Sequence, residues 1–300
     1  MLKKLLLVLG LFSFCFYLVD IKFAFDDPGI YGEAVKIGEI TDPSLREISG
    51  MTPSHTAKGL WWMHNDSGDK ARLYVVNSNG KLLGRYTVQG ARNRDWEDIG
   101  GFIGKNGKPM LYIADSGDND LNRDDLTIYR VKEPDLSKGV SDGETEPAEA
   151  FPFRYPDGRH DAEAIFIDPT NGRPYLVTKT LSLPGGVYRF PLPLRPNVTA
   201  TLEKVEGEAV NQISKLLLVT GAATSPDGNR VVVRTYLGAF EMTRPQGSAF
   251  ESIFKSTPKY VKLSRERQGE AISYTLDGKS LVTTSEKVPA PIFKLDRIKD

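Results

Sequence analysis

The sequence has little of what builds thiol or imidazole centres: one cysteine and three histidines in 300 residues. A single thiol excludes an intramolecular disulfide. None is required either, because a domain of this length buries roughly three quarters of the surface its unfolded chain exposes. Net charge is missing as well, with 39 Lys+Arg against 39 Asp+Glu. Nothing then draws the whole molecule to nucleic acid, which is not expected as a partner. Gly-x-x-x-x-Gly-Lys and HExxH are absent, and Gly-x-Ser-x-Gly occurs once, as Gly139-Val140-Ser141-Asp142-Gly143 in an acidic stretch without the apolar strand and helix a nucleophile elbow needs. Covalent catalysis therefore has little support in the sequence. What remains is a composition 26% charged and 40% hydrophobic, with 28 glycines and 19 prolines spread along it. That is a folded soluble chain of many short strands and tight turns.

There is one long apolar run. Lys3 and Lys4 precede Leu5 to Val19, and Asp20 ends it. A positive end followed by about 15 apolar residues has the form of a secretory signal, shorter than a spanning helix of ~20. Residues 1–25 are expected to be a signal peptide or short anchor, cleaved or retained, and 30–300 the folded domain. Cys15 falls inside the signal, leaving a Cys-free domain suited to the periplasm or the exterior. Contact with a membrane is expected only through this segment, and the domain is expected to be a monomer.

The rest of the chain repeats. Short acidic-apolar phrases recur at Glu47-Ile48-Ser49-Gly50, Glu97-Asp98-Ile99-Gly100, Glu163-Ala164-Ile165-Phe166 and Glu270-Ala271-Ile272-Ser273. Each is followed by an apolar strand, such as Leu60 to Met63 or Leu111 to Ala114, and then by an aromatic-bearing strand, such as Leu73 to Val76 or Ile128 to Val131. A further copy starts at Thr220, placed opposite Glu270 by aligning Asp227-Gly228 with Asp277-Gly278. The leading positions 47, 97, 163, 220 and 270 are 50, 66, 57 and 50 residues apart. Multi-strand units at such a period are propeller blades. The long spacing is assigned to an excursion around Lys132 to Ala150. The last unit lacks a fourth strand, which Ala34 to Ile40 can supply, closing the ring and removing sheet edges. The expectation is an all-β, five-bladed β-propeller closed by an N-terminal strand, with six blades as the alternative if the excursion hides one.

The first strand of a propeller blade lines the axis, so Glu47, Glu97, Glu163, Thr220 and Glu270 are expected to converge there. Two like charges roughly 6 Å apart repel by about 3 kcal/mol at an effective dielectric of ~20. Protonation, basic side chains or a cation must offset that. Hard oxygen donors without His or Cys point to Ca²⁺ as the cofactor, with a salt-bridge network or another cation as alternatives. Such a ring of Glu and hydroxyl residues in a five-bladed propeller resembles the calcium-activated nucleotidase (apyrase) family. The phrases around Glu47, Asp66, Asp95-Trp96-Glu97, Asp115 and Asp161-Ala162-Glu163 are similar to exported bacterial propellers of the esterase-like or phytase-like kind. The likeness implies an axial metal and does not carry a substrate.

Other candidates stand beside plainer readings. Asp66-Ser67-Gly68-Asp69 and Asp115-Ser116-Gly117-Asp118 are one phrase in consecutive blades, either site residues or Asx-turns. An EF-hand read from Asp118 fails, because Arg123 stands where Gly is required and Tyr129 where the bidentate Glu belongs. His64 and His160 are candidate catalytic acid or base, or structural imidazoles. Lys179 and Arg234 can hold an anionic substrate with Asp66 and Asp115, or can neutralise the glutamates. Two functions remain open: a calcium-dependent hydrolase of a phosphoester, phosphoanhydride or lactone, acting on an anionic or ester small molecule, and a non-catalytic binding or scaffold propeller with a structural ion.

Overall fold

Apolar runs of about six residues, each closed by a Gly, Pro, Asn or Asp turn, pair with their sequence neighbours as antiparallel strands. In the computed structural model, residues 27–104, 106–180, 184–216 and 218–299 are described. They form five sheets. The first strands of the sheets touch one another in a closed cycle, so the sheets are the blades of a five-bladed propeller.

From axis to rim, blade 1 is Ile48–Pro53, Leu60–Asn65, Arg72–Asn77 and Leu82–Thr87. Blade 2 is Trp96–Ile103, Pro109–Asp115, Thr127–Lys132 and Glu149–Arg154. Blade 3 is Asp161–Asp168, Arg173–Lys179, Val187–Arg189 and Glu203–Lys204. Blade 4 is Val219–Thr224, Arg230–Thr235, Gly238–Thr243 and Lys259–Val261. Blade 5 is Gly269–Tyr274, Ser280–Ser285 and Ala290–Asp296, completed by Val35–Ile40 from the other end of the chain. That closing strand pairs antiparallel with the last one, from Val35 opposite Lys294 to Ile40 opposite Ala290.

The excursion after Lys132 hides no sixth blade. Gly143–Glu144 adds a short parallel strand to the rim of blade 1, and the chain then becomes the fourth strand of blade 2, outside which Ala200–Thr201 adds a short parallel strand. Glu133 ties its start to blade 1, accepting from Trp62 Nε1 at 2.9 Å, Ser54 Oγ at 2.6 Å and the His55 N–H at 3.0 Å.

Every pair of neighbouring blades encloses its own apolar cluster. Strand alternation feeds both sides. Trp61 packs toward blade 5 and Trp62, its neighbour, toward blade 2. An aromatic side chain buries about 150–250 Å², so complete burial of Trp62 contributes roughly 4–6 kcal/mol before entropy is counted.

One irregularity repeats in all five inner strands. The ladder to the second strand slips by one residue between Ile48 and Gly50, Trp96 and Asp98, Ala162 and Ala164, Val219 and Gly221, and Gly269 and Ile272. A bulge frees one residue from pairing and re-aims its side chain. The bulged residues are Ser49, Glu97, Glu163, Thr220 and Glu270. The register therefore places Ser49, and not Glu47, at this position of blade 1.

Candidate functional site

The bulges deliver three glutamates, Glu97, Glu163 and Glu270, to one mouth of the axis, each 3–4% exposed. The hydroxyl residues at the same register turn sideways instead. Ser49 Oγ donates to the Glu97 carbonyl, and Thr220 Oγ1 donates to the Gly269 carbonyl at 3.1 Å. They stitch neighbouring blades together. Aspartates complete the mouth: one carboxylate oxygen each from Asp66, Asp95 and Glu97 lie within 4.8 Å of one another, as do those of Glu97, Asp161 and Glu163. Glu97 belongs to both groups.

Two backbone contacts orient the aspartates. The Asp95 N–H donates to Asp115 Oδ1 at 3.0 Å, and the Asp118 N–H donates to Asp161 Oδ1 at 2.8 Å. Asp115 is itself held by Arg123 at 2.7 Å. The loop from Asp115 to Asn122 is thus a brace for the acidic mouth, in which Asp118 accepts the N–H groups of Asn122 and Arg123 at 2.7 and 3.0 Å.

So many carboxyls in one place resist ionising. Burial pushes Asp95 up to about 6, with the Asp66 charge adding to it. Burial likewise lifts Glu163 to about 7 and Glu270 to about 8, the latter reinforced by Glu163. Glu97 is raised well above its ordinary value by burial and then by Glu163, Asp66, Asp95 and Asp161. Burial opposes the charge on Lys179, yet Glu163, 2.7 Å from its Nζ, more than restores it and keeps it an ammonium. One ammonium does not neutralise six carboxyls. Glu270 accepts from the Tyr236 hydroxyl at 2.7 Å on Oε1, while its buried Oε2 has no hydrogen-bond partner among the described residues. Gly117 lets the carboxylates pack against the backbone, because a Cβ there would collide with Glu97 Oε1 and Asp95 Oδ2. Hard oxygen donors and an unpartnered buried oxygen fit a divalent cation.

The other sequence candidates are placed as follows. Glu47 lies ahead of the bulge, half-buried, with its carbonyl accepting from the Asp66 N–H at 2.8 Å; its charge helps to raise Glu286. Asp66 joins the acidic groups and Asp115 does not, although they head the same phrase. Asn65 pairs with Ile48 as Asp115 pairs with Trp96, so the two phrases are offset by one residue. Arg234 is buried in an ion pair with Glu266 at 2.5 Å and donates to the Ala271 and Thr284 carbonyls at 2.7 and 3.1 Å, clamping blade 4 to blade 5.

Neither histidine reaches the carboxyls. His64 is fully buried between blades 1 and 2, edge-on to Trp96 at 5.6 Å between ring centroids. Burial holds it neutral, with a pKa of about 4. Its strand ends at Asn65, one residue before Asp66, so strand alternation does not bring the two side chains to one face. His160 turns toward the rim of blade 3, 2.9 Å from Asp157 Oδ1 and 3.0 Å from the Tyr188 hydroxyl.

Sequence reasoning did not select Asp95, Asp161 or Tyr236 as site residues. The signal for the first two was Asp-x-Glu at the start of the inner strand, present at 95–97 and 161–163. For Tyr236, on the hairpin of blade 4, no local pattern marks it. Residues 1–26, which contain the expected signal, lie outside the described residues. Among the described residues no helix is long and apolar enough to cross a membrane.

No protein-family model matches the chain, and no curated protein matches it in sequence. Its shape has counterparts among solved structures. One structure of glucose dehydrogenase is 11% identical over 88% of this chain and 99% of its own, with a TM-score of 0.47. A second glucose dehydrogenase is 10% identical over 88% of this chain and 98% of its own, with a TM-score of 0.46. What those enzymes act on does not transfer at this level of likeness.

Proposed function

We propose that the acidic mouth holds Ca²⁺ and that the protein is an exported, monomeric, calcium-dependent hydrolase of phosphoester, phosphoanhydride or lactone substrates. The observation that carries the reading is a pair of carboxyl groups of three sharing Glu97, Asp66 with Asp95 and Asp161 with Glu163, beside the Lys179 ammonium, with the unpartnered Glu270 Oε2 next to Glu163. The five carboxyls of those two groups are the residues that would hold the ion, with Glu270 beside them. Oxygen-only donors of this number suit calcium better than zinc or copper. When bound, Ca²⁺ supplies Lewis acidity toward a substrate oxygen.

The chain's own groups divide the remaining work. Lys179 and the Tyr236 hydroxyl sit at the rim of the carboxyls and can hold an anionic or carbonyl oxygen. Lys179 Nζ lies 6.0 Å from the centre of the Tyr236 ring, so the two act as a unit. A proton leaving an attacking water goes to a cluster carboxylate. His64 is walled off by burial, and His160 is engaged with Asp157 and Tyr188.

The second reading, a binding or scaffold propeller with a structural ion, is favoured by one observation. The hydroxyls at the bulge register, Ser49 and Thr220, are spent on neighbouring backbone, and no imidazole joins the carboxyls. Turnover of 4-nitrophenyl phosphate, a nucleoside diphosphate and a lactone, each with calcium and with EDTA, separates the two. The hydrolase reading expects calcium-dependent turnover of at least one. None on any of the three leaves the scaffold.

A further inference from the structure

The two ends of the axis differ in kind. Opposite the acidic mouth, the far ends of the inner strands enclose a cavity of about 430 Å³. No carboxylate, lysine or arginine lines it. Its walls are Pro53, Ile99, Phe102, Ile165, Ile167 and Pro226, with polar groups from Thr52, His55, Thr224, Ser225 and Ser273. Two of those polar atoms, Thr224 Oγ1 and His55 Nδ1, are buried without a hydrogen-bond partner among the described residues. His55 Nδ1 is turned to the Glu133 carboxylate, 3.4 Å from Oε2, so Thr224 Oγ1 is the one left for a ligand to complete. An unpartnered buried polar atom is costly, by about 1–3 kcal/mol, unless water or a ligand completes it.

A partition separates the cavity from the carboxyls. Asp98 accepts the N–H groups of Ile99 at 2.8 Å, Ile165 at 2.9 Å and Ala222 at 3.0 Å. All three of those residues line the cavity. Three blades are thereby drawn together across the axis, and the lower chamber is distinct from the metal-binding mouth.

We propose that this lower chamber is a second binding site, for an uncharged, largely apolar small molecule bearing a carbonyl or hydroxyl. The volume falls within the range of ligand sites, about 300–1,000 Å³, and the uncharged lining alternates apolar walls with hydroxyl groups. Absence of lining charge excludes an anion or cation as the preferred ligand, because a buried unpaired charge is strongly disfavoured. The Thr224 hydroxyl donates to the ligand's oxygen, and the isoleucines hold its hydrocarbon part.

The test uses the whole folded domain and two probes on one carbon skeleton, neutral 1-indanone and anionic indane-1-carboxylate. Binding is followed by isothermal titration and saturation-transfer NMR, with calcium and with EDTA. The expected result is saturable binding of 1-indanone that EDTA leaves unchanged, and at least tenfold weaker binding of the carboxylate. Thr224→Val should weaken 1-indanone binding by at least threefold, and Thr224→Phe, which fills the chamber, should abolish it. The proposal is overturned by no saturable binding, by equal binding of the two probes, or by binding that EDTA removes. Unchanged affinity in Thr224→Val overturns it equally, even if Thr224→Phe does not fold. Because EDTA is an explicit arm, this outcome is independent of whether the acidic mouth binds calcium.

Discussion

Asp98 of blade 2 reaches across the axis to accept the backbone N–H of Ala222 in blade 4 at 3.0 Å. With the Ile165 N–H of blade 3 at 2.9 Å on the same oxygen, one side chain joins blades that are not sequence neighbours. Replacing it by Ala removes the acceptor of three buried N–H groups, those of Ile165 and Ala222 across the axis and that of the adjacent Ile99, and each cross-axis group left unpaired costs about 1–3 kcal/mol. Asp98→Ala should lower unfolding stability by roughly 2–5 kcal/mol in urea titration, and Asp98→Asn, which keeps one acceptor oxygen, by clearly less. A loss under 1 kcal/mol in Asp98→Ala would show that the cross-axis bonds contribute nothing.

Calcium should stabilise the protein, by about 2.7 kcal/mol when present at a hundred times its dissociation constant. Glu97→Gln and Glu163→Gln each remove a charged oxygen and should lose most of the calcium-induced rise in melting temperature, read by calorimetry against EDTA. An undiminished rise in both variants would refute the ligand assignment.

Gly117→Ala should weaken calcium binding at least tenfold while the metal-free fold persists. Its methyl group would meet Glu97 Oε1 and Asp95 Oδ2, and flexible carboxylates can move aside where an ion cannot share the space. Titration calorimetry reads the effect, and wild-type affinity in the variant would mean that the ion sits elsewhere.

The metal-free protein should lose stability as pH rises. Asp95, Glu163 and Glu270 have folded-state values near 6, 7 and 8, all above those of an unfolded chain. The folded state therefore holds more protons, and its advantage fades as pH climbs from about 4 through 8. Melting temperature in EDTA should fall across that window, and calcium should flatten the decline while releasing protons on binding. A melting temperature in EDTA that rises from pH 5 to 8 would contradict the raised values.

Much of this is legible in the sequence. Turn residues and apolar runs marked the strands, and the period of the units marked the blades. The spare alternation at Ala34 to Ile40 marked the closing strand. What misled was register. Glu47 and Glu97 open similar phrases, yet the ladder sets Ser49 beside Glu97 because pairing, not resemblance, counts residues. The same one-residue offset separates Asp66 from Asp115.

The amino-acid sequence alone determined the all-β repeat, the closure and the presence of carboxyls near the start of most inner strands, because these are periodic and local. Only the tertiary structure decided which carboxyls meet. A bulge shifts a side chain by one place, and convergence joins residues as distant as Asp66 and Glu163, so neither can be counted along a single strand. The partition by Asp98 and the uncharged chamber beyond it have the same origin: they exist only where five inner strands face one another.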